Sequence, residues 1–220
     1  MKRSVLIASA FALALAGCGD STTVAYDVTF DVEDPAQRAQ LLQMTEHVVQ
    51  SRLESMGETT PIAVKAEEGG AEVTVSVSDP LVADVLTGQL TEPFLLEVMK
   101  ETTAEQADIT VNGHGSFMKT GITGMHITWI QAQAQQGSDR AMVTIGFTDE
   151  GRTLMQALFK ENKGKFVGVF VRGKLISKLR VETDELKDDI VIQDIPSLAL
   201  ATVFADDVNV GLHATFVPKP

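Results

Sequence analysis

The stretch Val24-Ala-Tyr-Asp-Val-Thr-Phe-Asp-Val32 decides the fold, because β-forming residues run along it and a helix signal follows at once. Its composition predicts a strand. Asp34-Pro35 predicts a helix start, since aspartate caps a helix and proline suits its first position. Apolar residues then recur at three- and four-residue spacing as far as Gly57, which ends the helix. The folded part therefore opens with a strand followed by a helix.

Two more strands, a second helix and a further strand come next. Residues 61–67 and 71–77 flank Glu68-Gly69-Gly70, which is a hairpin signal. Ser78-Asp79-Pro80 starts a short helix, and Phe94 to Met99 is again strand-like. The resulting order is βαββαβ, which is the split ferredoxin-like arrangement. We therefore predict an α+β protein that begins with a ferredoxin-like unit.

The character of the chain changes beyond Glu101. Residues 101–124 are rich in Thr, Gly and Asn and have little periodicity, apart from a short strand at Ile109 and Val111. The later predicted elements are strands at 126–133, 141–147, 166–171, 175–181 and 190–193, helices at 149–162 and 194–205, and a last strand at 208–217.

The N-terminus has the layout of a secretory signal peptide. Met1-Lys2-Arg3 supplies positive charge, and Val5 to Ala14 form an apolar run that is too short for a spanning helix. Leu15-Ala16-Gly17-Cys18 resembles a bacterial lipobox and ends in the only cysteine of the chain. We predict a signal peptide at 1–17, a lipidated tether at 18–23 and diacylglycerol on Cys18. The alternative is a free, buried cysteine, which behaves as a small apolar residue.

The net negative charge of the chain excludes some classes of binding partner. It has 18 basic and 30 acidic residues, and cleavage before Cys18 would leave 16 basic residues and a formal charge of −14. Such a surface argues against nucleic acid and against adsorption to anionic lipid. We expect a lipoprotein of the cell envelope that faces the periplasm or the exterior and is held to the membrane by acyl chains on Cys18. No later stretch predicts a membrane-spanning helix.

Several motifs appear in an order that points to one family. Thr120-Gly-Ile-Thr-Gly124 resembles a turn, Val143-Thr-Ile-Gly-Phe147 runs into Thr148-Asp-Glu-Gly151 and a predicted helix, and Val169 to Ser177 predict a hairpin over Arg172-Gly173-Lys174. In this order they resemble the first large extracytoplasmic domain of the SecD protein-export family. The resemblance implies a ferredoxin-like base of residues 24–101 plus 207–218 and an inserted α+β head of residues 102–206.

The resemblance also implies a role beside protein translocation. In SecD this domain is thought to contact translocated polypeptides, with motion powered through membrane helices. This chain lacks the six membrane helices of SecD, and Thr183 to Asp189 replace a glycine-rich stretch of the family. We expect a binding module without a proton-driven motor, whose partners are the Sec translocase or exported polypeptides. The alternative is a structural or envelope-assembly lipoprotein that binds one fixed protein partner.

No residue pattern predicts catalysis, a metal or a cofactor. His114 in Gly113-His114-Gly115-Ser116 is the most suggestive histidine, yet no aspartate to orient it can be inferred. His47 is expected to be solvated or interfacial, and no histidine has partners at metal-ligand spacing. We expect a solvated face, with weak calcium binding as the alternative, at three acidic pairs: Asp184-Glu185, Asp188-Asp189 and Asp206-Asp207. We expect core packing, with a pliable polypeptide-binding surface as the alternative, for Met118, Met125, Trp129, Met142 and Met155. His126 and His213 are predicted in strands.

Overall fold

The computed structural model describes residues 21–184 and 189–220. The predicted signal peptide, Cys18, and residues 185–188 of the acidic run lie outside the described residues. The elements in chain order are β1 (Thr22–Phe30), α1 (Pro35–Ser55), β2 (Ile62–Glu67), β3 (Gly70–Val77), α2 (Pro80–Thr91), β4 (Leu96–Thr102), β5 (Ile109–Val111), β6 (Gly115–Thr123), β7 (Ile127–Ala134), β8 (Ala141–Phe147), α3 (Asp149–Glu161), β9 (Phe166–Val171), β10 (Lys174–Arg180), β11 (Ile190–Ile195), α4 (Leu198–His213) and β12 (Ala214–Pro218). No helix in these two ranges is both long and apolar enough to cross a bilayer.

The base is a four-stranded antiparallel sheet in the order β12-β1-β3-β2, with α1 and α2 packed on one face. Tyr26, Val28 and Phe30 alternate along β1 and are buried toward the helices. Asp34 caps α1 by accepting hydrogen bonds from the backbone N–H groups of Ala36 and Gln37. The predicted α+β class and ferredoxin-like base are confirmed.

One strand that was predicted within the base lies in the head. Phe94 to Met99 was predicted as a base strand, but β4 lies in the head between β6 and β9. Leu96 and Val98 face the main head core, and Met99 packs on the other side against Phe117 and Phe170. Because β4 is buried on both faces, it occupies the middle of the head sheet. The position beside β1 in the base is taken by β12.

The end of the chain also differs from the prediction. Residues 208–217 were predicted as a strand and 194–205 as a helix, but α4 continues to His213 and only Ala214–Pro218 is extended. Val208 and Val210 alternate as in a strand, yet Ala201, Ala205, Val208 and Leu212 also form a helical stripe against the head core. The predicted boundary between head and base at 206/207 therefore falls inside one helix that both share.

The head contains a five-stranded sheet, β10-β9-β4-β6-β5, and a three-stranded sheet, β11-β8-β7. The short strand at Ile109–Val111 and the hairpin over Arg172-Gly173-Lys174 are confirmed. β6 was missed in the stretch expected to be irregular. Its side-chain alternation is interrupted by a register shift opposite Val98 and Met99 and by Gly121, which has a φ of 84°.

One lysine links the two edges of the five-stranded sheet. Lys178 on β10 donates hydrogen bonds to the Glu101 carboxylate at 2.9 Å and to the backbone carbonyl of His114, in the β5–β6 turn, at 2.7 Å. Its ammonium also lies 4.1 Å from the centre of the Phe166 ring. The sheet is therefore rolled so that its first and last strands approach each other around Phe117.

Candidate functional site

Helix α4 joins the head to the base through a fully buried asparagine. The Ile130 backbone N–H donates to Asn209 Oδ1 at 2.9 Å, and Asn209 Nδ2 donates to the Ile130 carbonyl at 2.7 Å. Ile130 lies on β7, whose other side pairs with β8, so Asn209 satisfies backbone groups at the edge of the sheet. The contact holds α4 in one register along β7.

Two acidic residues on α4 pair with α1 in the base. His47 Nδ1 lies 2.6 Å from Asp206 Oδ2, and an Arg52 nitrogen donates to Asp207 Oδ1 at 2.8 Å. A second nitrogen of Arg52 donates to the Gln89 carbonyl on α2 at 2.9 Å. Asp206 is buried, so the expectation that Asp206-Asp207 form a solvated face is wrong. Asp206 can be buried because His47 on α1 supplies its partner, and Asp207, which pairs with Arg52, stays partly exposed.

The junction is closed on its other side by an aromatic stack. The Trp129 and His213 rings lie 5.6 Å apart at an interplanar angle of 21°. Burial lowers the pKa of His213, against smaller opposing effects from a hydrogen bond to the Thr128 backbone and from the charge of Asp31. The imidazole is therefore held in its neutral form at neutral pH. The Asp31 backbone N–H donates to the His213 carbonyl at 2.8 Å, which ties the end of β1 to the same place.

Next to this junction lies an open cleft of about 570 Å³ between base and head. Its apolar wall consists of Phe94, Leu95, Met125 and Leu212, of which Met125 is 83% exposed and Leu95 is 59% exposed. Large apolar side chains at such exposure, gathered in one concave place, are typical of an interaction site rather than of a core.

Two glycines let the walls of the cleft approach each other. A Cβ at Gly211 on α4 would lie 2.2 Å from the Phe94 ring, so only glycine lets the ring rest on the helix backbone. A Cβ at Gly124 would lie 2.4 Å from a Leu212 methyl group. The Phe94 ring also lies under the Arg172 guanidinium, 5.3 Å from its centre. The packing therefore fixes the Phe94 wall while Met125 and Leu95 stay open.

The rim of the cleft is acidic. Asp31 and Glu97 line it, and Glu97 accepts a hydrogen bond from Lys119 at 2.9 Å. The hydrogen bond and the charge of Glu97 raise the pKa of Lys119. An occupant with apolar side chains and a nearby positive charge would bury its apolar part on Met125 and Leu95 and place its charge near Asp31.

The structure separates the methionines that the sequence grouped together. Met155 is fully buried in the head core, as the expectation of core packing for these methionines predicts. Met118 and Met142 are half-buried, and Trp129 belongs to the junction. Met125 alone of this set is mainly exposed, at the turn between β6 and β7. The pliable thioether proposed for polypeptide contact therefore reduces to Met125.

The histidines have mostly structural surroundings. His126 Nδ1 accepts a hydrogen bond from the Thr123 backbone N–H at 3.0 Å, which closes the turn before β7. His47 lies at the interface of α1 and α4 through its hydrogen bond to Asp206, which is the interfacial alternative expected for it. His114 is exposed, and its backbone N–H donates to the Val111 carbonyl. In residues 21–184 and 189–220, no group of three His, Cys, Asp or Glu side chains is placed to hold a metal ion.

The other acidic clusters lie near basic side chains. Asp184 lies 3.2 Å from Lys163, and Asp189 lies 3.9 Å from Arg152. The pKa of Asp184 is lowered, first by a local backbone hydrogen bond and then by Lys163.

Sequence reasoning missed the main features of the cleft. Phe94 and Leu95 are predicted within a base strand, and no sequence pattern marks Asp31 as a binding residue. One signal was present: Pro93-Phe94-Leu95 places two large apolar residues directly after a proline, in a connection between a helix and a strand. Such a connection lies at the surface, so apolar residues there are informative.

The comparisons with known proteins define the class. Residues 97–206 match the family model described as SecDF, P1 head subdomain, which is 110 of the 220 residues. The chain therefore belongs to the SecDF P1 head family, and the resemblance to a SecD extracytoplasmic domain is confirmed. No curated protein sequence is similar enough to this chain to count as a relative.

Solved structures of SecDF are similar to this chain. A structure of SecDF described as a membrane component that enhances protein export has 16% identity and a TM-score of 0.48, over 90% of this chain and 98% of that one. SecDF in a super-membrane-facing form has 16% identity and a TM-score of 0.49, over 91% of this chain. SecDF from Thermus thermophilus, described as translocon-associated, has 18% identity and a TM-score of 0.46, over 88%. The chain spans 30% of the length of each of the latter two.

Proposed function

We propose that this protein is a lipid-anchored extracytoplasmic module that binds exported polypeptides in the cleft between base and head. Membership of the SecDF P1 head family relates the chain to protein export. The proposal adds the anchor at Cys18, the cleft as the binding site, and a binding role with no motor and no catalytic step. Protein translocation machinery is the expected neighbour.

The observation that supports the proposal most directly is the exposure of Met125 and Leu95 beside acidic Asp31 and Glu97. Exported chains pass the membrane unfolded, so their apolar side chains are open to contact. A flexible methionine accepts many side-chain shapes, which suits a site that meets many different sequences. The acidic rim favours segments that also contain Lys or Arg.

Site-specific photo-crosslinking in cells tests the proposal. A photoreactive amino acid is placed at Met125 or Leu95, and at Leu200 as the matched control. Leu200 is a large apolar residue that is 53% exposed, on the side of α4 that faces α1 rather than the cleft. We expect adducts with many different exported chains from positions 125 and 95 and few from position 200.

Three other outcomes are informative. Equal adduct yields at all three positions would contradict binding in the cleft. One stoichiometric adduct with a single envelope protein would favour the alternative of a fixed assembly partner. Hydrolytic turnover of a substrate that is abolished by His114→Ala would overturn the assignment of a binding role without catalysis.

A further inference from the structure

The two ends of the base sheet differ in what lies beside them. β1 starts at Thr22, which pairs with Val77, and it ends at Phe30, beside the head and the cleft. The last strand runs back the other way, so the Lys219 backbone N–H donates to the Ala25 carbonyl. Eight residue steps along β1 separate the two ends by about 26 Å. We call the end at Thr22 and Val77 the tether end.

The predicted lipid lies close to the tether end. Cys18 precedes Thr22 by four residues, a reach of about 14 Å at full extension. A bilayer that holds acyl chains on Cys18 therefore lies within about that distance of the tether end, while the cleft lies near the opposite end of β1.

Helix α2 exposes apolar side chains at the tether end. It begins at Pro80, capped by Asp79, only a few residues after Val77. Ala83, Leu86 and Leu90 form its buried face, but Leu81 in its first turn is 67% exposed and Val85, one turn later, is 45% exposed. Leu81 is four residues from Val77, so it is as close to the tether end along the chain as Cys18 is.

We propose that the first turns of α2, through Leu81 and Val85, contact the bilayer surface and orient the protein with its cleft directed away from the membrane. This inference rests on the proposed lipid anchor at Cys18. The anchor already holds the protein at the bilayer, so contact of α2 with the lipid loses little further translational entropy. Burial of two apolar side chains is then enough to select one orientation. Asp79 and Asp84 are the exposed charges of this part of α2, so the contact gains nothing from anionic lipid.

A labelling experiment on the full chain purified from bacterial membranes tests the orientation. Cys18 is the only cysteine, so once it is acylated a second cysteine is a unique labelling site. Leu81→Cys and Val85→Cys are labelled with a polarity-sensitive fluorophore, and Leu200→Cys and Met125→Cys serve as exposed controls. Each protein is reconstituted into phosphatidylethanolamine–phosphatidylglycerol vesicles with and without lipids that are spin-labelled near the headgroup.

We expect blue-shifted emission and quenching at positions 81 and 85 and neither at positions 200 and 125. The quenching should survive high salt, because the contact is apolar. Adding Leu81→Glu to the Val85→Cys protein should abolish the quenching at position 85, while the fluorescence of Trp129 verifies that the fold is intact.

Mass spectrometry of the N-terminal peptide separates the possible failures. If Cys18 is acylated but position 81 is quenched no more than position 200, the orientation is wrong and the anchor stands. If quenching at position 81 disappears at high salt, an electrostatic contact replaces the apolar one and the inference is overturned. If Cys18 has no acyl chains, the anchor and the orientation fail together.

Discussion

Replacing Asn209 with alanine should destabilise the protein strongly, because this side chain is the polar link between α4 and β7. Asn209→Ala removes both hydrogen bonds to Ile130 and leaves a buried N–H and a buried carbonyl at the sheet edge without partners. Each orphaned group costs about 1–3 kcal/mol. We expect the free energy of unfolding to fall by about 3 kcal/mol, which is a large share of the stability of a typical domain.

The single tryptophan makes this measurement specific. Trp129 precedes Ile130 on β7 and stacks on His213, so its fluorescence during a urea titration reports on the junction itself. Asn162→Ala is the matched control. Asn162 is also buried, but its side chain makes one hydrogen bond, to Leu158 in its own helix. We expect that variant to lose about 1 kcal/mol.

The reasoning is refuted if Asn209→Ala loses no more stability than Asn162→Ala. Hydrogen exchange gives an independent measurement, since the Ile130 amide should lose protection in the Asn209 variant before the amides of β8 do. Unchanged protection at Ile130 would mean that α4 and β7 are held together by their apolar contacts alone.

Three further predictions concern pH, the head sheet and the anchor. Because burial lowers the pKa of His213, the folded state takes up its proton less readily than the unfolded state. The contribution of neutral His213 to the free energy of unfolding is therefore full above about pH 6.5 and declines as the pH falls below that value. His213→Phe should flatten the denaturation midpoint as a function of pH below about 6.5. Lys178→Met should lower the free energy of unfolding in urea by about 1–2 kcal/mol, because both hydrogen bonds of Lys178 are lost. Lys174→Met, at an exposed position on the same strand, should leave it nearly unchanged. Equal losses in the two variants would contradict the link between the sheet edges. Cys18→Ser should move the mature protein from the membrane pellet to the soluble fraction, and firm retention in the pellet would show that something else anchors it.

Most local elements could be predicted from the sequence because their signals are local. The Asp34-Pro35 cap, the Glu68-Gly69-Gly70 turn and the Arg172-Gly173-Lys174 turn each act over a few residues, and the structure has a helix or hairpin at each. The order of motifs was sufficient for the family, which the match over residues 97–206 confirms. Lipidation of Cys18 remains a prediction.

The errors arose where one pattern fits two partners. β4 has apolar residues on both faces, and no feature of Leu96–Thr102 distinguishes a strand of the base sheet from a strand of the head sheet. The spacing of Val208 and Val210 fits a strand, but in the helix Val208 lies on a stripe with Ala201 and Ala205 in the head core, and Val210 packs in the base core. The choice depends on what lies opposite, which only the assembled head supplies.

By itself the sequence determined the α+β class, the capped helices and the hairpins, because short-range sterics and hydrogen bonding act on neighbours along the chain. Only the tertiary structure decided that β4 belongs to the head sheet, that α4 serves both subdomains, and that Asp31, Leu95, Met125 and Leu212 meet around one cleft. Those four residues are separated by long stretches of chain. Their meeting depends on burying two cores against one shared helix, and no local pattern records that free-energy balance.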